Sequence, residues 1–335
     1  MFINKFINVS YTLFSGMTDP TSSIDSFSQF YSEKIEEALE KAVSTFENKE
    51  TILKYLKGGK RIRAKLALLT YFACGGRDEE EGLKVAAASE LPHSASLLKD
   101  DILDKDLERR GQPSAWVQEG PLEAIRTADS MILAGLETLL TLGSGLVRTF
   151  LNSWRAAWEG EAKDVSLATG LSKIEGPAYT LYFNIIKQKT ASLFKMASKM
   201  GAQAAKADEK LVDLMAEYGE NLGIAYQLSD DYVDLKKGKI GTMTILPLVA
   251  LAQIDQSVKQ HIIDALTKGK LNLGEVLLGL NINAESFFRE NMRAYIDKVK
   301  TLASSELIPD SEYKKLLAEF PDWAVSQMLK EAGLS

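Results

Sequence analysis

A chain of 335 residues with 8 Pro and 23 Gly, 45% hydrophobic and 26% charged, is neither disordered nor a membrane protein by composition, and it is long enough to bury a sizeable core. Its 40 Lys and Arg against 46 Asp and Glu leave a net charge of −6, which gives no general attraction to nucleic acid or to an anionic bilayer; an anionic substrate has to be held locally or through metal. One cysteine, Cys74, and two histidines, His93 and His261, exclude intramolecular disulfides, thiolate zinc sites, iron–sulfur clusters and multi-histidine centres; they fit a reducing, cytoplasmic setting and leave oxygen ligands and a hard, Mg²⁺-like ion.

Residues 1–24 hold two short apolar groups followed by TDPTSS and read as an N-terminal extension, with Met17 as an alternative start. The longest apolar run there falls well below the roughly 18 residues of a spanning helix, so no transmembrane segment is expected. From Asp25 onward Ile35, Ala38, Leu39, Ala42 and Val43 recur at the three-and-four spacing of a core-facing helix. Further helices are predicted over 61–74, 79–106, 121–142, 144–169, 176–205, 208–237, 243–267 and 284–304. Between them stand Gly75-Gly76, Gly111-Gln112-Pro113, Gly120-Pro121, Gly176-Pro177 and Gly238 to Gly241, all turn or start signals. With no convincing strand alternation, long linker or tandem period, residues 25–335 read as one all-α domain.

The strongest motif is an aspartate triplet that occurs twice at identical spacing: Asp100, Asp101 and Asp104 in KDDILDKD, and Asp230, Asp231 and Asp234 in SDDYVDLK. On a helix the first and third Asp lie about 40° apart and the second about 100° from the first, which suggests three carboxylates sharing one side. Such a cluster repels itself unless a cation or solvent answers it. A single triplet is as readily a solvated helix face. Two of them, each after an apolar helical approach, point to divalent metal shared with phosphate oxygens. Cationic groups accompany them: GGKRIR at 58–63, Arg109-Arg110, and Lys187 with Lys189 in KQKTASLF. Gly58 and Gly59 are expected to open a helix whose N-terminus, with Lys60, Arg61 and Arg63, would face an anion. His93 lies two turns before Asp100 on nearly the same face, as a core histidine or as a hydrogen-bond donor to a second anion.

In order, GGKRIR, ASELPHSASLLKDDILDKDLERRGQPSAW at 88–116, GEAKDV at 160, KTASLF at 189 and GIAYQLSDDYVDL at 223 resemble the trans-prenyltransferase family, the polyprenyl diphosphate synthases. The resemblance runs from about residue 50 to residue 247. It implies a single helical bundle around a deep central cavity, usually a homodimer. It also implies a Mg²⁺-dependent head-to-tail condensation of isopentenyl diphosphate with an allylic prenyl diphosphate, with three ions bridged by diphosphate. Asp100, Asp101, Asp104, Asp230, Asp231 and Asp234 would be the metal ligands. By matching position, Arg109, Lys189, Thr190 and Gln227 would serve the allylic diphosphate, and Lys60, Arg63, His93 and Arg110 isopentenyl diphosphate. The same resemblance makes Asp100, Asp101, Asp104, Arg109, Lys189, Asp230 and Asp231 the catalytic set.

Product length would follow from the helix below the first triplet. There Ala95 and Ser96, with Ser89 deeper, are small where short-product members of the family commonly carry aromatic residues, so geranylgeranyl or longer is the expected product unless a facing helix closes the floor. Lys99, Ala64, Glu161 and Ala128 depart from the family's usual His, Pro, Gln and Gly without removing a metal ligand. After Asp234 the family's Gly-Lys-x-Thr-x-Pro element is replaced by LKKGKIGTMTILPL, where Lys239, or Lys236 or Lys237, would supply the missing charge. A class I terpene synthase would need only one diphosphate site and leaves GGKRIR, His93 and Arg110 without an anion. A non-catalytic subunit of a heteromeric synthase has no use for two intact triplets.

Overall fold

The computed structural model describes residues 19–168, 178–238, 273–279 and 283–334, with positions 255, 257, 258, 261, 262 and 265 between them. The extension before residue 19, Gly176-Pro177, Lys239 and nearly all of the helix expected over 243–267 lie outside the described residues. Among the described residues no helix is long and apolar enough to cross a membrane.

Helix α1 (Ile24–Val43) starts where the Ser23 hydroxyl accepts the Ser26 N–H, and it buries Phe27, Tyr31, Ile35, Leu39 and Val43 as one stripe. After the short α2 (Lys49–Leu56), every residue of α3 (Ile62–Ala73) is buried, Arg63 and Lys65 included, which is the signature of a helix at the centre of the bundle. Around it pack α4 (Glu79–Leu103), α9 (Ser192–Ala204) and α13 (Glu312–Glu331). Helix α4 is capped by Asp78, whose carboxylate accepts the Glu80 and Glu81 N–H groups, and it continues through Pro92 to end at Leu103 rather than 106. Next comes a two-stranded hairpin, β1 (Glu108–Arg109) and β2 (Gln112–Pro113), in place of continued helix. Its two loop residues, Arg110 (φ 54) and Gly111 (φ 72), both have positive φ, as primed hairpin turns require.

A single turn, α5 (Ala115–Glu119), leads to α6 (Pro121–Leu140), which packs along α4, and to α7 (Ser144–Ala168). The helix expected over 176–205 is α8 (Ala178–Ile186), a π-turn at Lys187–Ala191, and α9. Helix α10 (Glu209–Lys237) begins on the Asp208 carboxylate, which accepts the Leu211 N–H, and stops at Gly238 in the left-handed conformation. Helices α11 (Leu273–Gly279), α12 (Ala284–Ala303) and α13 complete the bundle. Pro321 in the middle of α13 masks its helical period in the sequence.

Candidate active site

A cavity of about 770 Å³ opens between the C-terminal halves of α4, α7 and α10, the start of α3 and the end of α13. Asp100 and Asp104 line it from α4, and Asp230, Asp231 and Asp234 from α10. Asp101 does not: it is buried behind the rim, where Arg109 Nε donates to its carboxylate at 2.8 Å. Asp231 takes the same step on α10 and stays on the cavity, so it is the Arg109 guanidinium, and not helical spacing alone, that takes Asp101 out of the face expected to carry all three. Asp231 accepts hydrogen bonds from the Tyr182 hydroxyl and, at 3.0 Å, from Gln227 Nε2, which also reaches Asp230 at 3.3 Å.

Asp231 is buried and Asp100, Asp230 and Asp234 are half-buried, while Asp104 at the end of α4 is exposed. Burial, with Glu161 adding repulsion, pushes Asp100 up to about 8 against the pull of Lys189. Burial also pushes Asp231 up to about 7, against the Tyr182 hydrogen bond and with Asp230 adding to the rise. Asp104 and Asp230 are raised in the same way. Buried Asp100 Oδ1 and Glu161 Oε1 have no hydrogen-bond partner. An oxygen-only donor set with orphaned, mutually repelling carboxyls suits a hard divalent cation. Among the described residues no group of three or more acidic or histidine side chains forms a closed cage, so such an ion would complete its shell with water and substrate oxygens.

The cations fall into two sets. Lys189, in the π-turn, reaches Asp164 at 2.7 Å and Glu161 at 2.8 Å; burial opposes its charge, but Asp164, Glu161 and Asp100 outweigh that and raise its pKa. Beside it Thr190 donates to Gln227 Oε1 at 2.5 Å. At the other end, Lys60 pairs with Glu331 of α13, Arg110 Nη1 donates to the Lys57 carbonyl at 2.9 Å, and Arg63 is buried with its guanidinium 4.3 Å from the Phe194 ring centre. Arg63 Nε is buried without a partner. His93 lines the same wall, and burial reinforced by Arg63, Arg110 and Arg109 keeps its imidazole neutral. Arg61, read in the sequence as part of the anion site, lines the cavity but is also tied into the fold: it forks onto Glu36 at 2.7 and 2.9 Å, donates to the Leu56 carbonyl, and occupies the left-handed cap before α3. The helix opens at Ile62, within one residue of the expected start at 61. Lys187 pairs with Glu220 outside the cavity lining.

Of the three small residues under the first triplet, Ser96 lines the cavity, while Ala95 and Ser89 are fully buried in helix packing. The sequence reading did not assign Trp154 and Trp158 on the facing wall, the Glu161–Asp164 pair that holds Lys189, Tyr182 on Asp231, or Glu331 on Lys60. The Glu161–Asp164 spacing of three was visible in GEAKDV; Tyr182 and Glu331 carry no local signal.

A family model described as polyprenyl synthetase matches residues 47–272. The chain is 30% identical over 325 residues to a short chain isoprenyl diphosphate synthase of Methanothermobacter thermautotrophicus, spanning 89% of this chain and 96% of that one. It is 31% identical over 281 residues to a hexaprenyl pyrophosphate synthase of Saccharolobus solfataricus, spanning 83% and 86%. Its fold matches the crystal structure of a decaprenyl diphosphate synthase from Rhodobacter capsulatus with a TM-score of 0.77 at 23% identity, over 91% of this chain and 99% of that chain.

Proposed function

The chain belongs to the polyprenyl synthetase family and is a prenyltransferase, and from that premise we propose that it condenses isopentenyl diphosphate head-to-tail with an allylic prenyl diphosphate, making an all-trans product of geranylgeranyl length or longer. One observation carries this reading: two acidic helix ends face a single cavity that also holds two separate cationic sets, enough for two diphosphates. Asp100, Asp104, Asp230, Asp231 and Asp234 are the residues that would hold Mg²⁺. When bound, Mg²⁺, in three ions on this reading, supplies positive charge to the oxygens of the leaving diphosphate.

Lys189, Arg109, Thr190 and Gln227 bind the allylic diphosphate, and the two cations offset the charge that develops as its C–O bond breaks. Asp101 acts by orienting Arg109. Lys60, Arg63 and Arg110 hold isopentenyl diphosphate, and neutral His93 donates one hydrogen bond to it. The double bond of isopentenyl diphosphate then attacks the allylic carbon, and the departing diphosphate takes the proton released as the new double bond forms. No nucleophilic side chain is needed. For the charge after Asp234, Lys237 lines the cavity and Lys236 pairs with Glu285, so Lys237 joins Lys239 as a candidate. Two copies would pair through the exposed apolar face of α6.

The test is incorporation of labelled isopentenyl diphosphate with farnesyl diphosphate and Mg²⁺, with products separated by chain length. Elongation is expected in the wild type and a loss of about 100-fold or more in Asp100→Ala and in Asp230→Ala. Absence of incorporation with every allylic primer rejects the reading.

A further inference from the structure

The descent of the cavity below the carboxylates follows equal steps on two helices. Asp100 of α4 and Glu161 of α7 stand close enough for one charge to act on the other, and both helices approach this level from their N-terminal sides. Four residues back on each, Ser96 and Ala157 line the cavity; seven back, His93 and Trp154 line it. Eleven back, Ser89 and Phe150 are fully buried and line nothing. These offsets return to within about 40° of one helix face, about 6, 10 and 16 Å down the axis. The second level is therefore small on both sides, and the third carries an indole on α7.

That indole is braced. Trp154 stacks on Trp158 with ring centres 6.2 Å apart and planes at 13°. The Lys99 ammonium lies 5.8 Å from the Trp154 ring centre and 5.4 Å from that of Trp158, and it is tied to Asp129 of α6 at 2.7 Å. Beneath, Phe150 packs so tightly against α6 that a Cβ on Gly135 would meet its ring at 3.1 Å. Among the described residues, Trp154 is thus the last side chain of α7 on the cavity before the close-packed core.

We propose that Trp154, braced by Trp158 and Lys99, ends the channel that receives the growing apolar chain and so sets product length. The inference rests on the synthase reading above. With its diphosphate held at the carboxylate level, a lengthening tail runs down between Ser96, Ala157 and Leu193 until it meets the indole. Stacking and the cation hold the ring against rotation, and the packed core behind it cannot yield volume cheaply. The limit is supplied by α7 and not by α4, whose Ala95 and Ser89 face packing partners.

The experiment compares terminal products of wild type, Trp154→Ala, Trp154→Leu and Lys99→Met, each with farnesyl diphosphate, labelled isopentenyl diphosphate and Mg²⁺. Trp154→Ala is expected to lengthen the main product by at least one five-carbon unit, and Lys99→Met to add longer minor products. An active Trp154→Ala enzyme with the wild-type product overturns the assignment to Trp154 while leaving the synthase reading intact. Should Trp154→Ala fail to fold, Trp154→Leu decides by the same criterion. An unchanged product pattern in Lys99→Met removes the brace from the proposal. A wild type that elongates no primer overturns the synthase reading instead.

Discussion

Two buried side chains show how far local environment overrides residue type. Asp101 and Asp231 hold the same place in the two triplets, yet Arg109 takes Asp101 out of the cavity lining while Asp231 stays in it with Asp100 and Asp104. Lys65 follows Arg63 by two residues on α3. In the fold it is 7% exposed, bonded to Ser28 Oγ at 2.8 Å and 5.5 Å from the Trp323 ring centre, outside the cavity lining. Burial pushes it down to about 8, with Glu90 opposing and Arg61 adding to the fall. Below pH 8 both folded and unfolded chains carry the charge, and the folded state bears its full cost. Between pH 8 and about 10.4 the unfolded chain binds more protons, so stability rises with pH through that window. Lys65→Met should therefore stabilise the protein at pH 7 by up to about 3 kcal/mol, less the lost Ser28 bond, with the gain fading toward pH 10. Urea unfolding of both proteins at pH 7 and pH 10 checks this; an equal difference at both values would contradict it.

Among the helices, close approach decides where the functional groups arrive. Gly223 lets α10 lie against the π-turn: a Cβ there would meet Ala191 Cα at 2.5 Å, and backbone cannot move aside as a side chain can. Gly160 does the same for α7, where a Cβ would meet the Lys189 backbone nitrogen at 2.4 Å. These two contacts bring the second triplet and Glu161 to Lys189. Alanine would gain about 1 kcal/mol of helix propensity at Gly223, but overpacking costs about 1–3 kcal/mol and forces the helices apart. Gly223→Ala is expected to lower stability and raise KM for the allylic substrate, seen in unfolding and steady-state measurements. A stabilised variant with unchanged KM would show that the contact yields easily. The hairpin after α4 is a second such device: positive φ at Arg110 and Gly111 reverses the chain at once, so that both arginines point into the cavity from a segment that a continued helix would have carried past it.

For the bundle as a unit, the exposed apolar side chains of α6 matter most. Leu122 is 80% exposed, Leu140 65% and Leu133 53%, and their spacings of eleven and seven put them within about 20° of one helix face. With Ile125 and with Leu151 on α7 they form an apolar strip suited to a second copy. Leu122→Glu with Leu133→Glu should give a monomer in sedimentation velocity, and the wild type is expected to sediment as a dimer; two species of equal mass would reject this face. The amino-acid sequence already dictated the helical class, the two matched triplets and the three basic clusters, because all of these are patterns of neighbours along one helix or turn, where 3.6-residue geometry suffices. It left undecided which aspartate turns from the cavity, that Arg61 is tied to Glu36, that Tyr182 holds Asp231, and that the channel below Ser96 is limited from α7. Those outcomes depend on partners from other elements, 8 residues away for Asp101, 25 for Arg61 and 49 for Asp231, and such pairings leave no period in the chain for a reader to find.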